Sequence, residues 1–585
     1  MELEGLKLDE NNQEFSSALK LITDTNKSLF LTGKAGTGKT TFLKYLKSVT
    51  RKKTAILAPT GIAAVHAGGQ TIHSFFHIRP SLYPPGDSRL RTKAPENDND
   101  RSTIYDVFKY NTDKVKMLRN LETLIIDEVS MVQCDLMDVI DRLLRVYRKR
   151  RFEPFGGVQM VLIGDLFQLP PVTRDNDWEI LSGFYDTPYF FSSKAYQSLS
   201  PAFIQLEKIY RQKDEHFIRI LNRIRTGDVL DHDFEILNSK YDPSYKPTND
   251  DGYIILGTHN YQVNKVNDDK LRSLKTERHV FEGIVTGKFK EKDMPTNLHL
   301  ELKVGAQVMF VKNIYSPLRT IYNGLIGKIT KIENDDVYVK TKEYPDELKV
   351  ERITWENIRY KWDKKRNELI EEVIGTFTQF PLKLAWAITV HKSQGLTFDK
   401  LIADLGSAFT FGQVYVALSR CRSLDGIVLK SRISSKEIKV DQRVIRFSNN
   451  RLTAGQIQKE LTSGMADYHY FQALNSIKKG DIEQAKAEFK VAKRLNNNLD
   501  DEKFEKALLV ESQKSNEEPA VQSRYEEGYS DDSYSYTNYQ DEIDDLATGD
   551  WNYNPNNPAH DPTQNPWIEV FGPGEEAEAA YWNTD

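Results

Sequence analysis

Apolar positions in residues 1–200 come in short strand-like runs, SLFLT, TAILAPT, LETLIIDE and VQMVLIGD, alternating with stretches of helical period. That alternation predicts a parallel sheet with crossover helices. A polar segment, 79–118, rich in Pro, Asp and Asn, interrupts it and reads as an insertion. A second α/β segment opens near residue 200, with YIILGT (253–258) and LIADLG (401–406) as its strands. Between these, 290–375 changes to short β-runs such as KVGAQVMFV and ITKIENDDVYVKT. In the latter, Ile329/Ile332 and Val337/Val339 flank Glu-Asn-Asp-Asp, which predicts a hairpin in a small β-barrel. Residues 450–515 read as helical. From 517 on no apolar period survives, and that end is expected to be disordered.

Length changes this picture little. The 585 residues suit three to four domains, and 39% hydrophobic content suits a globular body. No window approaches the ~20 apolar residues of a bilayer span, so no membrane partner is expected. The opening MELEGLKLDENN lacks the basic and apolar regions of a signal peptide. Two distant cysteines, Cys134 and Cys421, indicate neither a disulfide framework nor a zinc site. A cytoplasmic protein, nucleoid-associated if bacterial, is the expectation.

Charge changes it more. The net of −5 seems to argue against nucleic acid, but residues 517–585 hold 17 Asp/Glu and one basic residue, a net of −16. Residues 1–516 therefore carry +11. A basic body with an acidic appendage is the better description.

The candidate chemistry starts at Gly33–Thr40, GKAGTGKT, which fits GxxxxGK[ST] directly after a strand. Backbone N–H groups of Gly36, Thr37 and Gly38 and the helix N-terminus suit phosphate, with Lys39 for the β/γ-phosphates and Thr40 for Mg²⁺. The run LIIDEVSM (124–131) ends a strand in two carboxylates: Asp127 for the metal, Glu128 to orient or deprotonate water. Two arginines are candidates to offset charge developing on the γ-phosphate, Arg211 in LEKIYRQ and Arg420 in QVYVALSRCRS. An arginine on an apolar face needs an anion, and phosphate or a buried carboxylate would each serve.

Taken together, these motifs with APTGIAA, GGQTIHSFF, GDLFQLPPV and WAITVHKSQGLTFD resemble the superfamily-one DNA helicases. The segment MVQCDLMDVIDRLLRVYRKRRFEPFGGVQM (131–160) resembles the signature of the PIF (petite integration frequency) family. The resemblance covers about residues 1–445. It implies an α/β protein of two RecA-like P-loop NTPase domains, 1–200 and 201–289 with 376–445, and ATP between them. It also implies a wedge in 79–118 and an SH3-like barrel in 290–375. The implied activity is 5′-to-3′ translocation on single-stranded DNA and unwinding at single-strand/duplex junctions, in repair, recombination or genome maintenance, by a monomer. A nucleotide-dependent switch, or a RecD- or Dda-like helicase, is the alternative.

By the same resemblance, Gln13 reads adenine, Tyr210 stacks on the base, Gln168 senses the γ-phosphate and Gly395 contacts nucleotide through its backbone. Arg211 and Arg420 are the arginines directed at the γ-phosphate. DNA contacts fall on Thr60, His73, Phe75, Asn260, Thr389, His391 and Lys392, although His73 and Phe75 taken alone read more readily as a loop histidine and a core ring. The helical 446–516, with Ala473, Gly480-Asp481, Ala485, Phe489 and Ala492 in a tetratricopeptide-like pattern, and the tail 517–585 lie outside the resemblance. The tail reads as a solubilising end, a partner-docking segment or a DNA mimic.

Overall fold

The computed structural model describes residues 9, 11–94, 101–173, 175–212, 214–247, 253–312, 314–316, 319–321, 323–363, 368–390, 393–499 and 501–517. His391, Lys392 and residues 518–585 of the tail lie outside the described residues. The chain divides into two compact units. One comprises residues 1–12, 30–199 and 203–451; the other comprises 13–29, 200–202 and 452–585.

The fold is mixed α/β. Six strands build the first sheet: β1 (Leu29–Gly33), β2 (Thr54–Ala58), β3 (Gln70–Thr71), β4 (Thr123–Ile126), β5 (Gln159–Gly164) and β6 (Ala202–Leu206), in the order β3-β2-β4-β5-β1-β6. β2 pairs in parallel with both β3 and β4, and β4 with β5. β1, β4, β5 and β6 are buried at every position, as a sheet covered on both faces requires. The sixth strand corrects a boundary. A division at residue 200 would detach Ala202–Leu206 from the sheet it completes at its edge, since a short apolar run does not record which sheet it joins.

A second parallel sheet joins Ala387–Thr389, Ile254–Gly257, Leu401–Ala403 and Ile427–Leu429 in that order. The intervening segment is antiparallel. A five-stranded sheet there includes the hairpin Ile326–Glu333/Asp336–Thr341, in which Ile329 faces Val339 and Ile332 faces Val337. Asn334 and Asp335 turn it at φ 47° and 66°, the left-handed pair that a two-residue turn demands. The β-region also reaches beyond 290–375. Arg278–Glu282 pairs with His299–Lys303, and Ile284–Gly287 with the strand Glu368–Gln379.

The stretch 131–160 forms the helix Cys134–Arg148 and the turn Pro154–Gly157. Asp141, fully buried, accepts from Phe155 N at 2.5 Å and from Arg145 Nε at 2.8 and 3.0 Å. Arg148 donates to the carbonyls of Gly156, Leu118, Arg119 and Leu121. The same helix holds the polar insertion. Asp135 accepts from Tyr83 N at 3.1 Å, Arg142 Nε donates to Leu90 O at 3.0 Å, and Tyr147 Oη donates to Phe108 O at 2.8 Å.

In the other unit, helix Gln13–Asp24 lies against the long helix Ala454–Lys478. Lys27 pairs with Glu460 at 2.8 Å, and a Cβ on Gly464 would sit 3.1 Å from Thr25. Gly480 (φ 77°) and Asp481, which caps Gln484 N, turn the chain into Ile482–Leu495, followed by Asp501–Glu517. Among the described residues no helix is long and apolar enough to cross a membrane.

Removing the carboxylate that anchors the turn leaves a buried guanidinium and a buried N–H without their acceptor. Asp141→Ala is therefore expected to cost about 3–5 kcal/mol, read as a lower urea midpoint. Asp141→Asn, which keeps one acceptor oxygen, should lose less.

Candidate active site at the seam of two sheets

β1 runs into the loop 33–38 and the helix Lys39–Val49. Gly36 (φ 81°) and Gly38 (φ 85°) adopt backbone that L-residues resist, which turns successive N–H groups toward one point at a helix start. Space decides as well. A Cβ on Gly36 would come within 2.5 Å of the Arg211 Cβ. The reason is direct contact, since Tyr210 N donates to Gly36 O at 2.8 Å. Lys39 Nζ donates to Gly33 O at 2.6 Å and Lys34 O at 3.1 Å. Thr40, the second helical residue, is exposed.

β4 ends at Ile126, with Asp127 and Glu128 next. Glu128 stands at φ 51° and its N–H donates to Asp127 Oδ1 at 2.9 Å. Burial and the neighbouring Glu128 push Asp127 up to about 7. Burial also raises Glu128, against the pull of Lys39 and Arg420. Two desolvated carboxylates beside a phosphate-type loop are a donor set that a divalent cation would relieve, and Thr40 adds a hydroxyl. The residues present therefore fit Mg²⁺.

The second sheet contributes the helix Gln413–Leu418 and the turn behind it. Tyr415 Oη accepts from Ala35 N at 2.8 Å and lies 3.4 Å from Asp165 Oδ2. Asp165, fully buried after β5, accepts from Arg225 at 3.0 Å and from Gln168 Nε2 at 3.2 Å. Arg225 lies over the Phe167 ring at 3.9 Å. A Cβ on Gly412 would fall 2.4 Å from Phe167 O, so only glycine lets this helix approach so closely.

Arg420 is 1% exposed. Its guanidinium donates to Val416 O at 2.9 Å and to Ser419 Oγ at 3.2 Å. Arg211 donates to Ser419 O at 3.3 Å, where Gln212 Nε2 also donates at 2.9 Å. Among the described residues neither arginine has an ion-pair partner, and desolvation with the neighbouring Arg420 charge brings Arg211 down to about 9. Burial likewise lowers Arg420 and Lys39. Of the two anions the sequence left open for these arginines, a protein carboxylate in hydrogen-bond contact is not what they have.

Other expected positions scatter. Gln168 (6% exposed) belongs to the cluster. Gln13 opens a helix of the other unit. Tyr210, 41% exposed, bonds through its hydroxyl to Asp9 (2.8 Å) and Asn12 (3.1 Å). Gly395 stands at φ 80° with nothing within 4 Å of where a Cβ would be. Thr60 is exposed and caps Ala63 N at 3.2 Å, while His73 is half-buried. Asn260 opens the helix Asn260–Ser273, and Thr389, buried, ends a strand beside Gly257. Phe75 is a correction to the expected DNA contact. Its ring is fully buried, edge-on to Phe76 at 4.7 Å with the Lys114 ammonium 3.7 Å away, so it supports its loop from beneath and offers no face to a base.

Three residues escaped the sequence reading. Gln394 Nε2 donates to Glu128 at 3.0 Å and to Gln168 Oε1 at 3.3 Å, joining two motifs of the first sheet to one of the second. Its position inside WAITVHKSQGLTFD was the available signal. Arg225 announced itself only as an arginine on the apolar face of FIRILNRIR, and Tyr415 as one more apolar position of its helix.

A model of the family described as PIF1-like helicase matches residues 8–235. The human protein named ATP-dependent DNA helicase PIF1 is 32% identical over 445 residues, covering 74% of this chain and 63% of that protein. This chain thus spans just under two thirds of that relative's length. The Pif1 helicase of Bdellovibrio bacteriovorus is 31% identical, with 75% of this chain and 91% of that protein covered. The crystal structure of a Bacteroides Pif1 in complex with ADP-AlF4 superposes with a TM-score of 0.67 at 42% identity, covering 75% of this chain and 96% of that one.

Because Asp165 is fully buried, Arg225→Met should destabilise the protein by about 3–5 kcal/mol. Adding Asp165→Asn to that variant should return most of the loss, measured as urea midpoints of the two single variants and the double.

Proposed function

This chain belongs to the PIF1-like helicase family, and we propose that it is an ATP-hydrolysing DNA helicase moving 5′-to-3′ on single-stranded DNA. One observation carries the reading. Lys39 and Glu128 of the first sheet face Arg211, Arg420 and Gln394 at one seam, and the two guanidiniums there have no carboxylate partner among the described residues. Cations held in low dielectric without an anion are costly, and a nucleotide's γ-phosphate supplies the missing charge. In this reading the two parallel sheets are the cores of RecA-like domains, the antiparallel insertion is SH3-like, and the helices 454–517 are a tetratricopeptide-like extension.

Lys39 binds the β/γ-phosphates, and Glu128 accepts the proton of the attacking water. Arg211 and Arg420 offset charge on the transferred phosphoryl group. Magnesium held by Thr40 and Asp127 would draw charge from the phosphate oxygens. With the γ-phosphate bound, the arginines of the seam gain their counter-charge and the cleft closes. After hydrolysis they lose it and the cleft opens. Gln394 carries that difference from Glu128 and Gln168 to the segment leading from Thr389, whose burial leaves the DNA contacts to Thr60, His73 and Asn260 among the expected positions. Each domain holds the strand through phosphate and stacking contacts, so alternate closing and opening moves the protein along it. The insertion 79–118, fixed to the helix Cys134–Arg148, separates the strands. The Bacteroides relative has been crystallised bound to single-stranded DNA, which supports the same partner here.

Lys39→Ala is expected to abolish ATP turnover and unwinding while leaving single-stranded DNA affinity largely intact, by phosphate release and filter binding. Arg420→Ala should lower kcat by about 10³ or more with a smaller change in nucleotide affinity. Duplexes with a 5′ single-stranded tail should be unwound and 3′-tailed ones not. ATP turnover indifferent to single-stranded DNA would instead mark a nucleotide switch.

A further inference from the structure

The mechanism makes no use of the helices after residue 453, yet they carry a built groove. Phe489 of Ile482–Leu495 and Phe504 of Asp501–Glu517 stack face to face, centroids 3.9 Å apart and planes 4° apart. They floor a groove of about 440 Å³ whose rim is Lys486, Lys490, Lys493 and Arg494. The spacing of four, three and one places all four cations along one side of the helix. Lys493 pairs with Asp501. Among the described residues, Lys486, Lys490 and Arg494 are exposed and pair with no carboxylate. Like charges four residues apart repel, and an anion laid along the stripe removes that repulsion.

An aromatic floor beneath a cationic rim suits a peptide that alternates carboxylates with rings. Such a peptide lies in this chain. Residues 525–545, YEEGYSDDSYSYTNYQDEIDD, contain eight carboxylates, five tyrosines and no lysine or arginine. We propose that the groove between Phe489 and Phe504 holds the chain's own segment 525–545, its carboxylates on Lys486, Lys490 and Arg494 and a tyrosine ring against the phenylalanines. Reach agrees. Phe504 to Glu517 is thirteen helical residues, roughly 20 Å. An extended chain returns that distance in about six residues, so the segment begins just where the tether suffices. Covalent attachment gives it an effective concentration in the millimolar range. A free competitor must exceed that.

Carbodiimide coupling tests the assignment on the full chain, because it joins a lysine amine only to a carboxylate already in contact. The expected result is Lys486 and Lys490 joined to carboxylates of 525–545 within one chain. The yield should fall several-fold in 0.5 M salt, where the Debye length drops to a few ångström. It should fall likewise when Asp531, Asp532, Asp541, Glu542, Asp544 and Asp545 become Asn or Gln. Absence of these links overturns the proposal. Links found only between chains in a mixture of ¹⁴N and ¹⁵N protein also overturn it, in favour of a second copy. So does a groove that couples to nothing but is shielded from lysine acetylation by oligothymidine, which would make it a nucleic-acid site.

Discussion

A carboxylate without access to water must be surrounded by donors, and Asp165 is the residue where this condition orders the rest. It lies just after β5, and its oxygens take Arg225 from a helix that follows the first sheet and Gln168 from its own loop. Tyr415, from the second sheet, lies close enough to share it and accepts the P-loop N–H of Ala35. One buried charge therefore fixes the phosphate loop, Gln168 and the opposite helix in a single arrangement. Breaking any of these contacts leaves a charge or a donor stranded in low dielectric, so the arrangement is stiff. Two glycines allow the approach: Gly36, which would strike Arg211 with any side chain, and Gly412, which would strike Phe167.

Against that fixed cluster stand two guanidiniums that, among the described residues, donate hydrogen bonds to neutral oxygens and to no carboxylate. The contrast has a physical meaning. Arg225 has its anion and serves structure; Arg211 and Arg420 have carbonyls and a hydroxyl and retain their electrostatic demand. Burial on its own does not distinguish these roles, because Arg225 and Arg420 are both deeply buried. The identity of the acceptor does. Under the proposed function, one phosphate is the counter-charge that these arginines lack, and the seam responds to its presence or absence.

How much of this was legible in the sequence varies with the kind of constraint. Strands buried at every position, or at all but one, write themselves as apolar runs, so β1, β2, β4 and β5 were readable. β6, the run AFIQL, was not placed in this sheet, because five residues carry no record of the strands beside them. The P-loop, the Asp-Glu pair and the two arginines were readable because each sits in a short motif with a fixed backbone context. Gln394 and Tyr415 were not, since their roles come from partners more than two hundred residues away. Phe75 shows the reverse failure. A ring inside a motif was assigned to a ligand, and packing against Phe76 had already claimed it.

The signature 131–160 also takes on a meaning that its composition concealed. Its charged residues Asp135, Asp141, Arg142 and Arg145 are buried. Their partners are backbone groups of the insertion and of the turn that follows, so the helix acts as a mount whose bolts are ionic. Pro154–Gly157 matters for the same reason. Phe155 and Gly156 turn at positive φ, and a Cβ on Gly156 would meet Leu144 O at 2.7 Å. The proposed strand-separating role asks that the base of the insertion be attached at several points, and hydrogen bonds from buried charges are directional enough to set its angle. The stretch 131–160 thus serves, in this structure, as the mounting of the insertion.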